Sequence, residues 1–188
     1  EIESMNKNTS FITRCAKAYP KKSCTKIIKW FDDNKHLAEK GMSTNFDLNS
    51  SEICIQLKSE NDFFNLGKTL KKCILKFKKN FPEVDKYLGK WGIHHEIQLM
   101  KYEPGQFYSR YHCEHDGDPR HVKRVFAWMI FLNDIKIGGG TQFLYQKQII
   151  KPKAGDFYIW PASWTHLHRG VVAPKETKFI LTGWVNYI

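Results

Sequence analysis

The first half of the chain carries apolar residues at helical spacing, most regularly between Asp62 and Asn80. There they follow the i, i+3, i+4, i+7 rule, which gathers them on one side of a helix. The apolar positions are Phe63, Phe64, Leu66, Leu70, Cys73, Ile74 and Phe77. Lysines take most of the other sides, so the pattern predicts an amphipathic helix that packs on a sheet and exposes its lysines to solvent.

A second helix is predicted from Pro20 to about Phe31, because proline is favoured in the first turn of a helix. Between the two helices, the stretch from Gly41 to Ser51 is rich in Ser, Asn and Asp and predicts a loop. The first half is therefore expected to consist of helices separated by polar loops.

From Trp91 onwards the pattern changes to short runs of apolar, β-branched and aromatic residues bounded by turn residues, which is typical of strands. The predicted strands are Ile93–Tyr102, Phe107–Cys113, Val122–Leu132, Thr141–Tyr145, Gln148–Ile150, Asp156–Trp160, Thr165–His168 and Lys178–Tyr187. About eight short antiparallel strands predict a jelly roll. The expected fold class is mainly β with flanking helices, built on a double-stranded β-helix, which is a cupin-like barrel.

The size of the chain suits one folded core, since it has 188 residues, of which 41% are hydrophobic and 14% aromatic. We expect a single domain over residues 1–188, in which residues 1–90 form a helical buttress against a barrel at residues 91–188. No apolar run approaches the roughly 20 residues that a membrane span needs, and the first residues lack a signal-peptide pattern. Five cysteines without a Cys-x-x-Cys pair favour a reducing compartment such as the cytoplasm.

The formal net charge is +11, from 30 basic and 19 acidic residues. Such an excess favours acidic partners or nucleic acid. A solvated, lysine-rich surface is the preferred explanation. Nucleic acid is therefore a possible partner that the sequence does not favour.

Residue types that bind metals cluster in the second half. His112 and Glu114 lie two residues apart at the end of a predicted strand, so their side chains point to the same face. Further along, His166 and His168 each offer an imidazole, and Lys178 interrupts an apolar strand. Two histidines and one carboxylate form the facial triad of non-haem iron(II) oxygenases, which leaves positions open for a 2-oxo acid and O2. A buried lysine is suited to pair with the far carboxylate of that acid.

The region from Tyr102 to Trp184 resembles the catalytic core of the prolyl 4-hydroxylase-like 2-oxoglutarate oxygenases, especially their short bacterial and phage versions. The resemblance does not cover residues 1–90. Order and spacing both match, and the pieces are specific in combination rather than singly. They are Tyr102-x-x-Gly105-Gln106-x-Tyr108, His112-x-Glu114, Phe131-Leu132-Asn133-Asp134, Gly138-Gly139-x-Thr141-x-Phe143, Lys151-Pro152-Lys153-x-Gly155, Trp160-Pro161-Ala162, His166-x-His168-Arg169-Gly170 and Lys178-Phe179-x-x-Thr182-Gly183-Trp184.

The resemblance implies a hydroxylating dioxygenase that uses Fe(II), 2-oxoglutarate and O2, with ascorbate as a further cofactor and a peptide or protein as the favoured substrate. Its iron ligands would be His112, Glu114 and His168, and Lys178 would hold the C5 carboxylate of 2-oxoglutarate. Additional contacts with the co-substrate would come from Tyr102, Tyr108 and Thr182.

The choice between His166 and His168 rests on spacing, because residues i and i+2 share a face of a strand. The ten-residue step from His168 to Lys178 matches the family's step from the distal ligand to the carboxylate-binding residue, which leaves His166 a packing role. The sequence departs from the family pattern at three places. Glu114 replaces the commoner Asp, Gly140 stands where an acidic residue is frequent, and residues 175–177 lack the usual glycine.

Other candidates have simpler interpretations. The run His94-His95-Glu96 is interpreted as structural, because neighbouring strand residues point to opposite faces. The segment His115–His121 contains two turn signals and is either a lid over the substrate or a plain loop. Arg169, beside an inward-facing His168, should point outward. The tryptophans at 128, 160, 164 and 184 are expected in the core or at the barrel rim.

Two other classes of function compete with the oxygenase. A basic, non-catalytic barrel that binds nucleic acid would have had no reason to keep three ligands and the lysine. A zinc hydrolase would leave Lys178 without a role and has no evident general base. Within the oxygenase class, a nucleotide or a free amino acid remains an alternative substrate.

Overall fold

The computed structural model describes residues 10–41, 48–59 and 61–188. In this part of the chain two antiparallel sheets face each other and helices cover one of them. The strands are β1 Thr13–Cys15, β2 Glu39–Lys40, β3 Ser51–Gln56, β4 Trp91–Tyr102, β5 Arg124–Phe131, β6 Thr141–Phe143, β7 Gln148–Ile150, β8 Phe157–Pro161, β9 His168–Gly170 and β10 Lys178–Tyr187. The helices are α1 Lys21–Asp33, α2 Asp62–Asn80 and α3 Glu83–Tyr87, with short 3-10 turns at Lys35–Leu37 and Trp164–His166.

The larger sheet has seven strands in the order β1-β8-β5-β10-β4-β3-β2, and the smaller sheet has three in the order β7-β6-β9. Every pair is antiparallel. Alternate residues of the central strands point into the space between the sheets, where Met100, Phe131, Phe143, Trp160 and Ile180 form one buried cluster. The double-stranded β-helix predicted from the sequence is therefore confirmed.

The opposite face of the larger sheet is covered by α1 and α2. Their buried side chains, among them Ile27, Phe31, Leu70 and Phe77, pack against Leu99 and other residues of the sheet in a second cluster. Helix α1 begins directly after Pro20, and α2 buries the stripe that its sequence pattern predicts. The helices thus support the sheet from behind and leave its inner face to the site.

The predicted bounds of β7 and β10 are confirmed, and α2 ends at the predicted Asn80. Within α2, however, Phe63, Phe64 and Asn65 have left-handed backbone, so the regular helix begins only at Leu66. The prediction of helices alone over residues 1–90 is incomplete, because β1, β2 and β3 join the larger sheet. Their short alternating pattern resembled the polar loops around them. Part of the predicted loop from Gly41 to Ser51 lies outside the described residues, and Ser51 itself begins β3.

Two predicted strands are wrong in detail. Residues 107–113 form no regular strand and make only isolated bridges, at Tyr108 and at His112. The segment Thr165–His168 is largely a 3-10 turn, and strand β9 begins at its last residue, His168. The two segments meet at the isolated bridge between His112 and His168.

No helix in the described ranges is long and apolar enough to cross a membrane.

Candidate metal centre and co-substrate pocket

Three potential metal ligands meet between the two sheets. His112 and Glu114 lie in the irregular segment before β5, and His168 is the first residue of β9. The backbones of His112 and His168 pair with each other, since His112 N–H donates to His168 O at 3.0 Å and His168 N–H donates to His112 O at 2.9 Å. One ligand atom from each of the three side chains lies within 4.8 Å of the others.

The hydrogen bonds of the two imidazoles orient them toward the same point. Nδ1 of His112 lies 3.1 Å from Arg110 O, and Nδ1 of His168 lies 2.9 Å from His166 O. A carbonyl oxygen only accepts, so each Nδ1 carries the proton and each Nε2 presents a lone pair. These two Nε2 atoms lie 3.5 and 3.4 Å from the same atom, Glu114 Oε1.

Three acceptor atoms that converge in this way repel one another unless a cation lies between them. Two imidazole nitrogens and one carboxylate oxygen are also the donor set of a non-haem iron(II) site. The residues therefore fit the metal that this donor set predicts.

The protonation of these groups also suits a metal. Burial acts to raise the pKa of the Glu114 carboxyl, but that pKa is held well below its ordinary value when His112 and His168 donate to the carboxylate. When both Nε2 atoms present lone pairs, a metal cation takes the place of those donors. Burial lowers the pKa of His168. A carboxylate and a neutral imidazole are the forms that bind metals.

Lys178 opens into the same cavity, which has a volume of about 360 Å³. The side chain is buried, and burial lowers its pKa to about 8. Its Nζ lies 4.3 Å from the centre of the Tyr102 ring, and among the described residues no carboxylate forms an ion pair with it. A buried cation without an anionic partner is costly, so the cavity is suited to a ligand that brings a carboxylate.

The other predicted co-substrate contacts line the cavity as well. Tyr108 stacks on the His112 ring at a centroid distance of 4.0 Å, and the Tyr102 hydroxyl donates to Met100 Sδ at 3.8 Å. The Thr182 hydroxyl donates to Trp128 O at 2.9 Å. Because that hydrogen is already used, Thr182 can meet a ligand only as an acceptor or through its methyl group.

Several other candidates lie away from this centre. His166 sits in a 3-10 turn with its ring nitrogens beside Thr165 Oγ1 and Ser10 O, both at 2.9 Å. Arg169 donates to Gln142 Oε1 and does not line the cavity. His95 is exposed on β4, on the face opposite to His94.

The sequence did not single out Arg124 as a site residue or give Trp184 a role beyond packing. Trp184 Nε1 donates to Glu114 Oε2 at 2.8 Å, and Arg124 donates to the same oxygen at 3.3 Å. Glu52 also enters the cavity from β3, where burial raises the pKa of its carboxyl. These contacts depend on strand register, which no local motif reveals.

A larger groove of about 780 Å³ lies elsewhere on the molecule and contains none of the predicted site residues. It is more open, and it is lined by basic residues such as Arg14, Lys76 and Lys151. The smaller cavity is the better candidate for an active site, because the three converging side chains and the buried lysine all face it.

Solved structures with the same architecture come from prolyl hydroxylases. The viral collagen prolyl hydroxylase of Paramecium bursaria Chlorella virus-1, in its 2OG complex, is 20% identical, with 95% of this chain and 97% of that chain covered and a TM-score of 0.73. A Pseudomonas putida prolyl-4-hydroxylase is 16% identical, with 96% and 94% covered and a TM-score of 0.71. A Trichoplax adhaerens prolyl hydroxylase, solved with a fragment of the hypoxia inducible factor oxygen degradation domain, is 13% identical, with 95% and 84% covered and a TM-score of 0.67.

The fold and the site define a double-stranded β-helix enzyme of the non-haem oxygenase class. The family model described as the 2OG-Fe(II) oxygenase superfamily matches residues 97–186, which include the three converging residues and Lys178. These residues match a 2OG-Fe(II) oxygenase domain, and the fold and the three converging side chains agree with a 2-oxoglutarate-dependent dioxygenase that uses Fe(II). A comparison with curated protein sequences gave no match.

Proposed function

We propose that His112, Glu114 and His168 hold Fe(II), that Lys178 binds the C5 carboxylate of 2-oxoglutarate, and that the enzyme hydroxylates prolyl residues of a peptide or protein. One observation carries the assignment of roles. Three converging acceptors and a buried lysine that has no carboxylate partner among the described residues face one cavity. A cation would satisfy the acceptors, and a dicarboxylate would bind both the cation and the lysine. When bound, Fe(II) and 2-oxoglutarate supply the activation of O2 that hydroxylates a C–H bond, with succinate and CO2 as co-products.

The chain's own residues contribute to this reaction by positioning the metal and the co-substrate. The imidazoles are fixed through their Nδ1 atoms, so the ligand set is organised before the metal binds. Lys178 then sets the direction in which the dicarboxylate enters. Apolar side chains of the inner cluster, including Met100 and Ile180, line the cavity and exclude water from the reacting centre.

The substrate assignment rests on likeness of fold. Solved structures of similar architecture are named as prolyl hydroxylases, and one holds a peptide fragment. In this chain the cavity opens beside Asp116 and His121, which belong to an exposed loop. An open mouth flanked by polar side chains suits a residue presented by an extended chain.

The experiment that tests this function measures succinate formed from 2-oxoglutarate with Fe(II) and ascorbate, in the presence of proline-rich peptides, free amino acids and nucleotides. We expect turnover with a prolyl peptide, and the mass of one added oxygen atom on its proline. The matched control is His168→Ala, which should form no succinate. Turnover confined to a nucleotide or a free amino acid would contradict the peptide assignment, and turnover undiminished in His168→Ala would contradict the metal site.

A further inference from the structure

We infer that Arg124 and Trp184 are positioning residues that hold the outer oxygen of Glu114 and thereby fix how its carboxylate meets the metal. The inference rests on the metal site of the proposed function. It goes beyond that function in two ways. One oxygen of Glu114 faces the metal site while the other accepts hydrogen bonds, and these hydrogen bonds explain why the residue is a glutamate.

The two oxygens of Glu114 have separate surroundings. Oε1 faces the Nε2 atoms of His112 and His168, at 3.5 and 3.4 Å. Oε2 accepts from Trp184 Nε1 at 2.8 Å and from Arg124 at 3.3 Å. Two donors on one oxygen prevent the carboxylate from rotating, so only Oε1 is presented toward the metal.

Arg124 holds the backbone of the ligand as well as its side chain. Nη1 of Arg124, which donates to Glu114 Oε2, also donates to Glu114 O at 3.2 Å, and Nδ1 of His115 lies 3.2 Å from Arg124 O. The backbone N–H groups of Glu114 and His115 both donate to Ala162 O at 3.0 Å. The irregular segment that carries Glu114 is therefore fixed from β5 on one side and from residue 162 on the other.

The two positioning residues also fix each other. The guanidinium carbon of Arg124 lies 3.7 Å from the centre of the Trp184 ring, a stacking distance at which cation and ring attract. Arg124 is the first residue of β5, and Trp184 pairs with Ala127 across β10 and β5. Both donors thus project from adjacent strands of the larger sheet, which makes their separation a property of the sheet register.

The charges of Arg124 and Glu114 are compatible with this arrangement. An arginine guanidinium stays protonated in proteins, so it faces the carboxylate as a cation. The side chains of Arg124 and Glu114 are 15% and 16% exposed. Arg124 therefore neutralises the carboxylate in a poorly hydrated place without occupying the oxygen that faces the imidazoles.

The reach of Glu114 is matched to these donors. An aspartate at position 114 is shorter by one carbon–carbon bond, about 1.5 Å, so its carboxylate would withdraw from Trp184 and Arg124. Hydrogen bonds weaken steeply over such a distance. The pair of donors therefore favours glutamate over aspartate at this position.

The test measures the affinity of the full chain for Co(II) and Mn(II) by anaerobic calorimetry, together with the ligand-field absorption of bound Co(II). Trp184→Phe removes the indole N–H and keeps an aromatic ring. The matched control is Trp128→Phe, which changes a buried indole whose Nε1 has no hydrogen-bond partner among the described residues. We expect about tenfold or greater loss of metal affinity and an altered Co(II) spectrum in Trp184→Phe alone, as is typical when a residue that orients a ligand is removed.

A double-mutant cycle identifies the contact responsible. Glu114→Asp should weaken metal binding, and in that background Trp184→Phe should cost little more, because the hydrogen bond is already lost. Arg124→Gln, at a partly exposed position, provides a second variant should Trp184→Phe fail to fold. It should also weaken metal binding, whereas an affinity unchanged from the parent would overturn the inference.

The outcomes separate this inference from the proposed function. A parent protein that binds neither metal would contradict the metal site itself. A parent that binds metal, with Trp184→Phe and Arg124→Gln equal to it in affinity and spectrum, would leave the metal site intact and overturn the positioning role. A loss confined to the KM for the peptide would likewise overturn it, because the two side chains would then contact the substrate instead.

Discussion

Lys178 and Tyr102 lie directly opposite each other across the strands β10 and β4, with Lys178 Nζ 4.3 Å from the centre of the Tyr102 ring. The ring face attracts the ammonium group without accepting its hydrogen bonds as a carboxylate would. The lysine is thereby kept in a buried place while its donors stay available to a ligand in the cavity. This pair accounts for a buried charge that has no carboxylate partner among the described residues.

Replacing Lys178 by alanine should remove most of the affinity for 2-oxoglutarate. Losing one partner of a buried charge pair typically costs about 3 to 5 kcal/mol, part of which water entering the space recovers, so we expect roughly a hundredfold weaker binding or more. Metal affinity should change little, because Lys178 is not among the three converging residues. An anaerobic titration of the Fe(II)-loaded protein, followed by its charge-transfer absorption, separates the two affinities.

The matched control for that variant is Lys175→Ala, since Lys175 is exposed and lies only three residues away. It should bind 2-oxoglutarate as tightly as the parent. Should Lys178→Ala keep its affinity while Lys175→Ala or Arg169→Ala loses it, the carboxylate-binding residue would be one of those two.

The same lysine should reduce the stability of the ligand-free protein. Burial lowers its pKa from 10.5 to about 8, so the folded state binds its proton less tightly than the unfolded state does. Below about pH 8 both states are protonated and the full penalty is present; it disappears as pH rises toward 10.5, where the unfolded lysine also loses its proton. Lys178→Met should therefore raise the free energy of unfolding at pH 7 by about 1–3 kcal/mol.

Denaturant unfolding of the ligand-free protein at several pH values checks this. The advantage of Lys178→Met over the parent should shrink between pH 8 and 10.5. A stability difference independent of pH, or a less stable variant at pH 7, would show that the ammonium group carries no such penalty.

Metal binding should distinguish the two histidines at 166 and 168. His168→Ala should abolish most binding of Fe(II) or Co(II), because it removes one of three ligands. His166→Ala should retain the metal, because the contact of residue 166 with His168 is made by its backbone oxygen, which the substitution leaves in place. Metal analysis of the purified variants, with thermal unfolding to confirm folding, decides between them, and the reverse result would make His166 the ligand.

The sequence predicted the elements whose pattern is long and regular. Helix α2 and strand β10 have nineteen and ten residues, and their patterns predicted both ends of β10 and the end of α2, though not the left-handed backbone at residues 63–65. Strand β3 was not predicted, because its apolar run, Ile53 to Ile55, has only three residues and directly follows a stretch rich in polar residues. Such a short pattern acquires a structure only through pairing with β4, which is a long-range contact.

The residues of the candidate site divide in the same way, into those that a local pattern indicates and those that only long-range contacts bring together. Spacing within the segment His112–Glu114 indicated that the two side chains share a face, although the segment is not a regular strand. The partners of Glu114 could not be predicted, because Arg124 and Trp184 reach its outer oxygen only through the register of β5 and β10. Side-chain contacts between distant strands leave no local pattern in a single sequence.

Binding to nucleic acid should be weak and salt-sensitive despite the net charge of +11. The lysines of α2 at positions 68, 71, 72, 76 and 79 are exposed, whereas Phe77 is buried and cannot stack on bases. Phe63 and Phe64, at the start of the helix, are partly buried and pack against the core. Fluorescence anisotropy with single- and double-stranded oligonucleotides should therefore show binding at low salt that is lost near physiological salt. A complex that persists at physiological salt, with oxidation of a nucleotide, would favour the nucleotide substrate.

Substitutions in the loop at residues 115–121 should change the KM for the peptide substrate more than the affinity for 2-oxoglutarate. Asp116 and His121 line the mouth of the cavity and lie 2.9 Å apart, between Asp116 Oδ1 and His121 Nδ1. His121→Ala breaks this contact, and losing a hydrogen bond worth roughly 1 kcal/mol should raise the KM for a peptide by about fivefold. Arg120→Ala is the control, because that side chain is 81% exposed and pairs with Asp118 away from the cavity. Equal KM values in the two variants, or a loss of 2-oxoglutarate affinity in His121→Ala, would contradict a role of this loop in selecting the substrate.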